Sequence, residues 1–279
     1  MINGLTDIIA HIGYPTHTFK SPMIYNPYFE QAGIDVVVVP MACRAEHYAN
    51  VLRSVFRLDN ICGALVTMPH KVTTVALLDE ATPRVRIAGA CNAVRRGTDG
   101  RLVGDMFDGE GFVRGMRRKG CAPEGARALV VGCGGVGSAI AASLAGSGVA
   151  AISLFDANTE AAKALAGRLS VNYPELEVHT GSNDPAGHTV VVNATPLGMH
   201  PGDPMPMDVS RISPQAFVGE VVLEPEMTAF LLAAQARGCR FQVGSDMLFE
   251  QIPAYLEFFG FPSTTADSLR AVAQLDDGA

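Results

Sequence analysis

The sequence contains no Cys-x-x-Cys pair. Its six cysteines (Cys43, Cys62, Cys91, Cys121, Cys133 and Cys239) are scattered, most of them in apolar stretches. Free cysteine in such surroundings behaves as a small hydrophobe. The pattern points to reduced thiols in a cytoplasmic protein. The seven histidines fall at no metal-ligand spacing, so no metal is expected. No cluster of Lys or Arg stands out, and the formal net charge is −7. Neither a nucleic acid nor an anionic membrane is therefore an expected partner. No apolar run reaches the ~20 residues a membrane span needs. Met1–Ala10 lacks the basic start and long apolar core of a signal peptide. Internal repeats, low-complexity tracts and long linkers are missing too. What remains is the composition of an ordinary globular protein, 48% hydrophobic and 18% charged. Its 279 residues suit one large or two medium domains.

The most informative stretch that is present is Ala128–Ala139. Strand formers Ala128-Leu129-Val130-Val131 stop at Gly132-Cys133-Gly134-Gly135-Val136-Gly137, and small helix formers follow. This is the strand, turn and helix of a dinucleotide-binding unit. Gly132 allows the tight turn, Gly134 lets backbone approach a pyrophosphate, and Gly137 lets helix and strand pack closely. The helix start at Gly135 and Val136 offers N–H groups and the positive end of its dipole. The next apolar run, Ala151–Phe155, ends at Asp156. That acid lies near the ~20-residue spacing expected of a group holding ribose hydroxyls. Its alternative role is to cap the following helix. Cys133 reads as a small side chain tolerated in the turn rather than a redox group.

Alternating patterns surround this unit. Asp7–Ile12, Val36–Val39 and Cys62–Val66 read as strands, with Val36–Val39 buried on both faces as a continuous β-branched run. Helices are expected from Ser21, as N-cap with Pro22 next, to Gly33, over Ala45–Arg57 and over His70–Asp79. Cys91–Arg95 and Leu102–Val103 flank a hairpin turn at Gly97–Gly100. A helix follows over Asp108–Lys119. The later strands are Ala128–Val131, Ala151–Phe155, Glu177–His179, Val190–Asn193, Ala216–Val221 and Arg240–Val243. Helices cover Gly135–Ala145, Thr159–Leu169, Met247–Phe259 and Thr265–Leu275. The fold class is α/β. A mostly parallel-sheet substrate domain (1–107 with 247–279) is joined to a Rossmann-type dinucleotide domain (108–246), with a cleft between them.

Hydride transfer at an alcohol carbon requires the protein to move the hydroxyl proton. Two places could supply that group. Lys71 follows a strand and a Thr67-Met68-Pro69-His70 turn, at the carboxyl edge of the first sheet. Asp108 stands at a turn-to-helix junction. By position alone, Lys71 suits a solvated helix start and Asp108 an N-cap. A carboxylate beside a lysine would orient its ammonium group.

Several motifs together resemble the shikimate/quinate dehydrogenase family. They are Lys20-Ser21-Pro22 with Asn26, Val66-Thr67-x-Pro69-x-Lys71, Gly89-Ala90-Cys91-Asn92 and Asp108-x-x-Gly111-Phe112. The glycine turn, Asn193–Met199, Pro225-x-x-Thr228 and Gly244-x-x-Met247-Leu248-x-x-Gln251 complete the set. They follow the family's order over nearly the whole chain. The resemblance implies NAD(P)-linked oxidation of a ring hydroxyl, with Lys71 and Asp108 as the catalytic pair. It implies substrate contacts at Ser21, Thr67, Asn92 and Gln251. It puts Asn193 and Thr195 near the nicotinamide, with Gly244 also on the cofactor side.

The departures from the family are all polar-to-apolar. Phe19 stands where a first serine helps bind the substrate carboxylate, and Leu65 where an asparagine is usual. Met106 and Phe107 precede Asp108 in place of Asn-Thr, and Leu223 replaces a tyrosine. Phe19 and Leu223 are thus expected in the substrate pocket as altered recognition groups. Each lost donor should cost about 1–3 kcal/mol, so shikimate is expected to be a poor substrate. Asp156-Ala157-Asn158 replaces the Asn-Arg-Thr that goes with NADP, so NAD is preferred over NADP. Authentic shikimate dehydrogenation in aromatic amino-acid biosynthesis is an alternative, as is a non-catalytic dinucleotide-binding regulator. A monomer or homodimer is expected.

Overall fold

The computed structural model describes residues 2–275; the expected domain ends at residue 1 and residues 276–279 lie outside the described residues. The chain divides into two compact units. One takes in the chain up to Arg86, Ala90–Met106 and the chain from Ile252; the other takes in Ile87–Gly89 and Phe107–Gln251.

In chain order the first part contains β1 (Asp7–Gly13), α1 (Ser21–Gln31), β2 (Val36–Ala42), α2 (Ala45–Val55) and β3 (Ile61–Val66). Then come α3 (Lys71–Val75), β4 (Glu80–Ala81), α4 (Pro83–Ala88), β5 (Ala93–Arg96) and β6 (Leu102–Asp105). The strands form one sheet in the order β2-β1-β3-β5-β6-β4. β1 pairs in parallel with β2 and β3, whereas β5 runs antiparallel to both β3 and β6. The expected hairpin closes at Gly97, whose N–H donates to Arg101 O at 2.8 Å.

Three local expectations are corrected here. Val36–Val39 is not a doubly buried central strand, because β2 lies at the sheet edge and is only partly buried. Pro40, which has no N–H, suits that edge. The side chain of Asn26 covers it further, accepting from Val38 N at 2.7 Å and donating to Val38 O at 3.2 Å. The helix expected over His70–Asp79 stops at Val75. Asp79 is drawn into pairing with Leu102 through its N–H (2.9 Å) and its carboxylate (2.8 Å), and the β-branched run Val72–Val75 is a poor helix former. Ser21 is the first helical residue and not the cap: Lys20 holds the cap position without a side-chain cap bond. Gly33, at φ +67°, does close α1, with Ile34 N donating to Phe29 O at 2.9 Å.

The second part contains α5 (Asp108–Arg118), β7 (Arg127–Val131), α6 (Gly135–Gly146), β8 (Ala151–Phe155), α7 (Thr159–Asn172), β9 (Glu177–Thr180) and β10 (Val190–Asn193). After them come β11 (Phe217–Glu220), α8 (Ala229–Ala236), β12 (Arg240–Gln242), α9 (Gly244–Phe259) and α10 (Ala266–Val272), with α9 from Ile252 onward and α10 belonging to the first unit. Here β7–β12 form a fully parallel sheet in the order β12-β11-β10-β7-β8-β9. This is the doubly wound Rossmann arrangement. Its strands are continuous apolar runs because both faces are covered. In β7, Ala128 and Val130 join one core and Leu129 and Val131 the other.

A buried carboxylate fastens the ends of β10 and β11. Glu220 accepts from Asn193 Nδ2 (3.0 Å), Thr228 Oγ1 (3.0 Å), Val221 N (2.8 Å) and Val222 N (3.1 Å). Asn193 Oδ1 in turn accepts from Thr195 Oγ1 at 2.6 Å, and its Nδ2 donates to Leu197 O at 3.0 Å. Burial pushes the Glu220 carboxyl above its usual range, against the pull of these donors. The network shapes the whole Asn193–Leu197 turn. Glu220→Ala leaves several buried donors without an acceptor, at about 1–3 kcal/mol each. We expect urea unfolding to show a loss of at least ~3 kcal/mol for Glu220→Ala and a smaller one for Glu220→Gln, which keeps an acceptor oxygen.

Candidate functional site

In the first unit, Thr67, Lys71 and Asn92, expected from the sequence as site residues, lie near the ends of β1 and β3. Ile12 and Val66 are paired across these strands, and Thr67 N donates to Ile12 O at 3.0 Å. Beyond them, Tyr14 N donates to Met68 O at 2.9 Å. Ligand sites in parallel sheets form at this carboxyl edge.

Lys71 opens α3 from a buried base. His70, the preceding residue, is stacked on Tyr48 at 3.9 Å and 4° between planes. Its Nε2 lies 2.8 Å from Cys43 O. Burial holds its pKa below the ordinary histidine range, so the neutral ring donates Nε2–H to that carbonyl. Tyr48 Oη meets Thr74 Oγ1 at 2.6 Å, and Thr74 Oγ1 donates to His70 O at 2.9 Å. Lys71 O accepts from Cys91 N at 2.8 Å, which brings Asn92 alongside. Asn92 is 1% exposed, and its own backbone is fixed by Val66 N (2.8 Å) and Asp105 O (3.1 Å).

Thr67, Phe19 and Ser21 are half-buried in the same unit. A Cβ added at Gly13 would meet Phe19 Cζ and Met68 O, each at 2.8 Å, and the Thr67 methyl. Phe19 stacks on His11 with ring centroids 4.0 Å apart. His11, which the sequence did not single out, is thereby placed beside Phe19. Its signal was a single polar side chain inside the apolar run Ile8–Ile12.

Asp108, Gln251, Leu223 and the expected cofactor residues belong to the second unit. Asp108 is the first residue of α5 and 3% exposed. Phe107 takes the cap position and no side-chain cap bond forms, which corrects the capping alternative for Asp108. Its carboxylate does complement the positive end of the helix dipole. The glycines after it admit neighbouring helices: a Cβ at Gly109 would strike Ala139 O, and one at Gly111 would lie 2.6 Å from Met247 O. Gln251 is buried on α9, and its Oε1 has no hydrogen-bond partner among the described residues. Leu223 is half-buried just beyond β11. Leu65 and Phe107 are buried, at 3% and 2% exposure, so these two departures remove polar groups into packing.

The glycine turn has the geometry its sequence implies. Gly132 takes φ +100°, and a Cβ there would sit 2.6 Å from Ala194 O. At Gly137 a Cβ would run into Gly132 O, while one at Gly134 would meet nothing within 4 Å among the described residues. No side chain caps the N-terminus of α6, where Gly135 and Val136 follow Gly134. These features fit a dinucleotide pyrophosphate. Asp156 is pinned beside the turn, accepting from Cys133 N at 2.6 Å and from Asn158 N at 2.8 Å. The cap of α7 is Asn158 and not Asp156. Burial pushes the Cys133 thiol up to about 12, which suits an inert side chain. Asn193 is fully buried and Thr195 is bonded to it, so both act as the frame of their turn. Gly244 lets α9 begin against the Val222 carbonyl. Glu220, which holds that frame, was not foreseen; its signal was an acid closing the apolar strand Phe217-Val218-Gly219.

Comparison with known proteins agrees with this geometry. Residues 11–94 match the model of the shikimate dehydrogenase substrate binding domain. The shikimate dehydrogenase (NADP(+)) of Acidiphilium cryptum (strain JF-5) is 34% identical over 275 residues, covering 98% of each chain. Shikimate 5-dehydrogenase from Listeria monocytogenes, solved with shikimate and NAD, superposes with a TM-score of 0.89 at 25% identity, over 97% of both chains. Quinate dehydrogenase from Corynebacterium glutamicum, solved with NAD, gives a TM-score of 0.85 at 29% identity, over 96% of this chain and 98% of that one. With its two α/β units, its glycine turn and full-length relatives of this identity, the chain belongs to the shikimate dehydrogenase family.

Proposed function

We propose that this chain is a nicotinamide-dependent dehydrogenase that interconverts a ring or small-molecule hydroxyl and the corresponding ketone, with Lys71 and Asp108 as its catalytic pair. The functional domains are then 1–107 with 247–279 for substrate and 108–246 for cofactor. The observation that carries the reading is the anchoring of Lys71. His70, Tyr48 and Thr74 form a buried base directly beneath it, and Cys91 fastens its carbonyl beside Asn92. A merely solvated lysine needs no such support.

When bound, the nicotinamide supplies the hydride acceptor. The glycine turn at Gly132–Gly137 and the start of α6 would hold its pyrophosphate, and Asp156 its ribose diol. Asp156 retains acceptor capacity beyond its two backbone donors. Lys71 Nζ takes up the hydroxyl proton as the alcohol is oxidised and gives it back as the ketone is reduced, and Asp108 keeps that group oriented. Asn92, Gln251, Thr67 and Ser21 bind substrate. Phe19 and Leu223 line the substrate region with apolar surface. The relatives' names point to shikimate. The loss of polar groups at Phe19, Leu65, Phe107 and Leu223 favours a less polar hydroxy or keto compound.

Lys71→Ala is expected to lower turnover at least ~100-fold, the lower range for a general acid-base group, while leaving NAD+ affinity unchanged. Steady-state NADH absorbance and calorimetric NAD+ titration measure the two. Unchanged turnover would refute the assignment of Lys71, whereas NAD+ binding without turnover in the wild type would favour a regulatory protein. Because the Asp156 carboxylate repels a 2′-phosphate, NAD+ should bind about tenfold or more tightly than NADP+ in the same titration. Equal affinities would overturn the NAD preference.

A further inference from the structure

From Ile8 to Ile12, β1 is aliphatic except for one residue. His11 stands among Ile8, Ile9, Ala10 and Ile12, and is 6% exposed. Its Nδ1 is buried and has no hydrogen-bond partner among the described residues. One face of the ring is stacked on Phe19, at 4.0 Å and 26°. Strand alternation puts His11 and Gly13 on the same face of the sheet. The space beside Gly13 is filled by Phe19, Thr67 and the Met68 carbonyl. His11 therefore shares a wall with Phe19 and Thr67, two residues assigned to substrate. Lys71 is near enough for its charge to act on the ring. Burial first, and then that charge, lower the imidazole pKa to about 3, so it is neutral at physiological pH.

A polar atom buried without a partner is costly and calls for an explanation. Aliphatic neighbours and an aromatic face supply none among the described residues. A neutral imidazole offers one N–H and one bare nitrogen. It brings no charge to hold a carboxylate, and the Phe19 ring brings none either. A hydroxyl can pair with Nδ1 in either tautomer, and a carbonyl can accept from Nδ1–H.

We propose that His11 is a specificity residue of the substrate site, pairing through Nδ1 with an uncharged hydroxyl or carbonyl of the substrate at the wall it forms with Phe19. The inference rests on the reading of the Lys71 region as a substrate site. It adds that the substrate group facing this wall is neutral.

The test compares the free acids shikimate and quinate with their methyl esters, using wild-type protein, His11→Leu and His11→Asn. Asparagine keeps a hydrogen-bonding group near the place of Nδ1; leucine does not. We expect wild type to favour the esters by about tenfold or more in kcat/KM, the scale on which an unpaired polar group discriminates. His11→Leu should lose about tenfold or more on the esters, mainly through KM, and His11→Asn should recover part of the loss. NAD+ affinity should not change, and the unfolding midpoint of His11→Leu should equal or exceed that of wild type. Preference for the free acids, or ester kinetics untouched in His11→Leu, overturns the proposal. Calorimetric ester binding in the presence of NADH separates the two readings. Binding that depends on His11 without turnover sustains this proposal and defeats the dehydrogenase reading. Ester binding equal in wild type and His11→Leu, or absent from wild type, overturns the proposal.

Discussion

Backbone-to-backbone contact at glycine is the constraint on which the second unit depends. Gly137 brings α6 down onto the Gly132 carbonyl, and Gly132 itself abuts the Ala194–Thr195 backbone. Gly244 starts α9 against Val222. Side chains at these points would hold the connections off the sheet edge. Without them, the turns after β7, β10 and β11 close on one another, and Asp156 can reach Cys133 N. The open surroundings of Gly134 complete a surface that a pyrophosphate can approach. Glu220 does for the β10 and β11 ends what glycine does for β7, by hydrogen bonds in place of close approach.

The first unit solves the same problem with buried side chains. The role proposed for Lys71 needs its amino group held in place, and a lysine stem is flexible. Here the flexibility is limited at its base. The His70 ring is clamped between Tyr48 and the Cys43 carbonyl, and Thr74 ties the first turn of α3 to it. The contrast between the units matters for specificity. The glycine turn is shaped by backbone approach. The proposed substrate region is lined by individual side chains, and the apolar residues at Phe19 and Leu223 lie among those assigned to it.

Features that depend on local chemistry were legible in the sequence. The strand-turn-helix at Ala128–Ala139, the alternation of the parallel sheet and the Gly33 terminus all follow from nearby residues. Features that depend on sheet order were not. The β-branched run at Val36–Val39 suits a central strand as well as an edge, and only the missing neighbour beyond β2 decides. β4 is two residues long and exists because β6 pairs with it. The same held at the site. Lys71 was visible by its turn, but its support comes from Tyr48 and Cys43, far back in the chain. His11 was hidden because an isolated histidine in a strand resembles packing until the Phe19 stack and its partnerless nitrogen are seen.

The central claim is that proton-transfer and cofactor groups are kept while the surface that recognises substrate has become less polar. Its most direct measurement is NADH formation by the wild-type protein on a panel of cyclic and aliphatic hydroxy acids and polyols that includes shikimate. The account predicts the highest kcat/KM on a compound with fewer polar groups than shikimate. Shikimate as the best substrate, at the efficiency usual in its family, would contradict it.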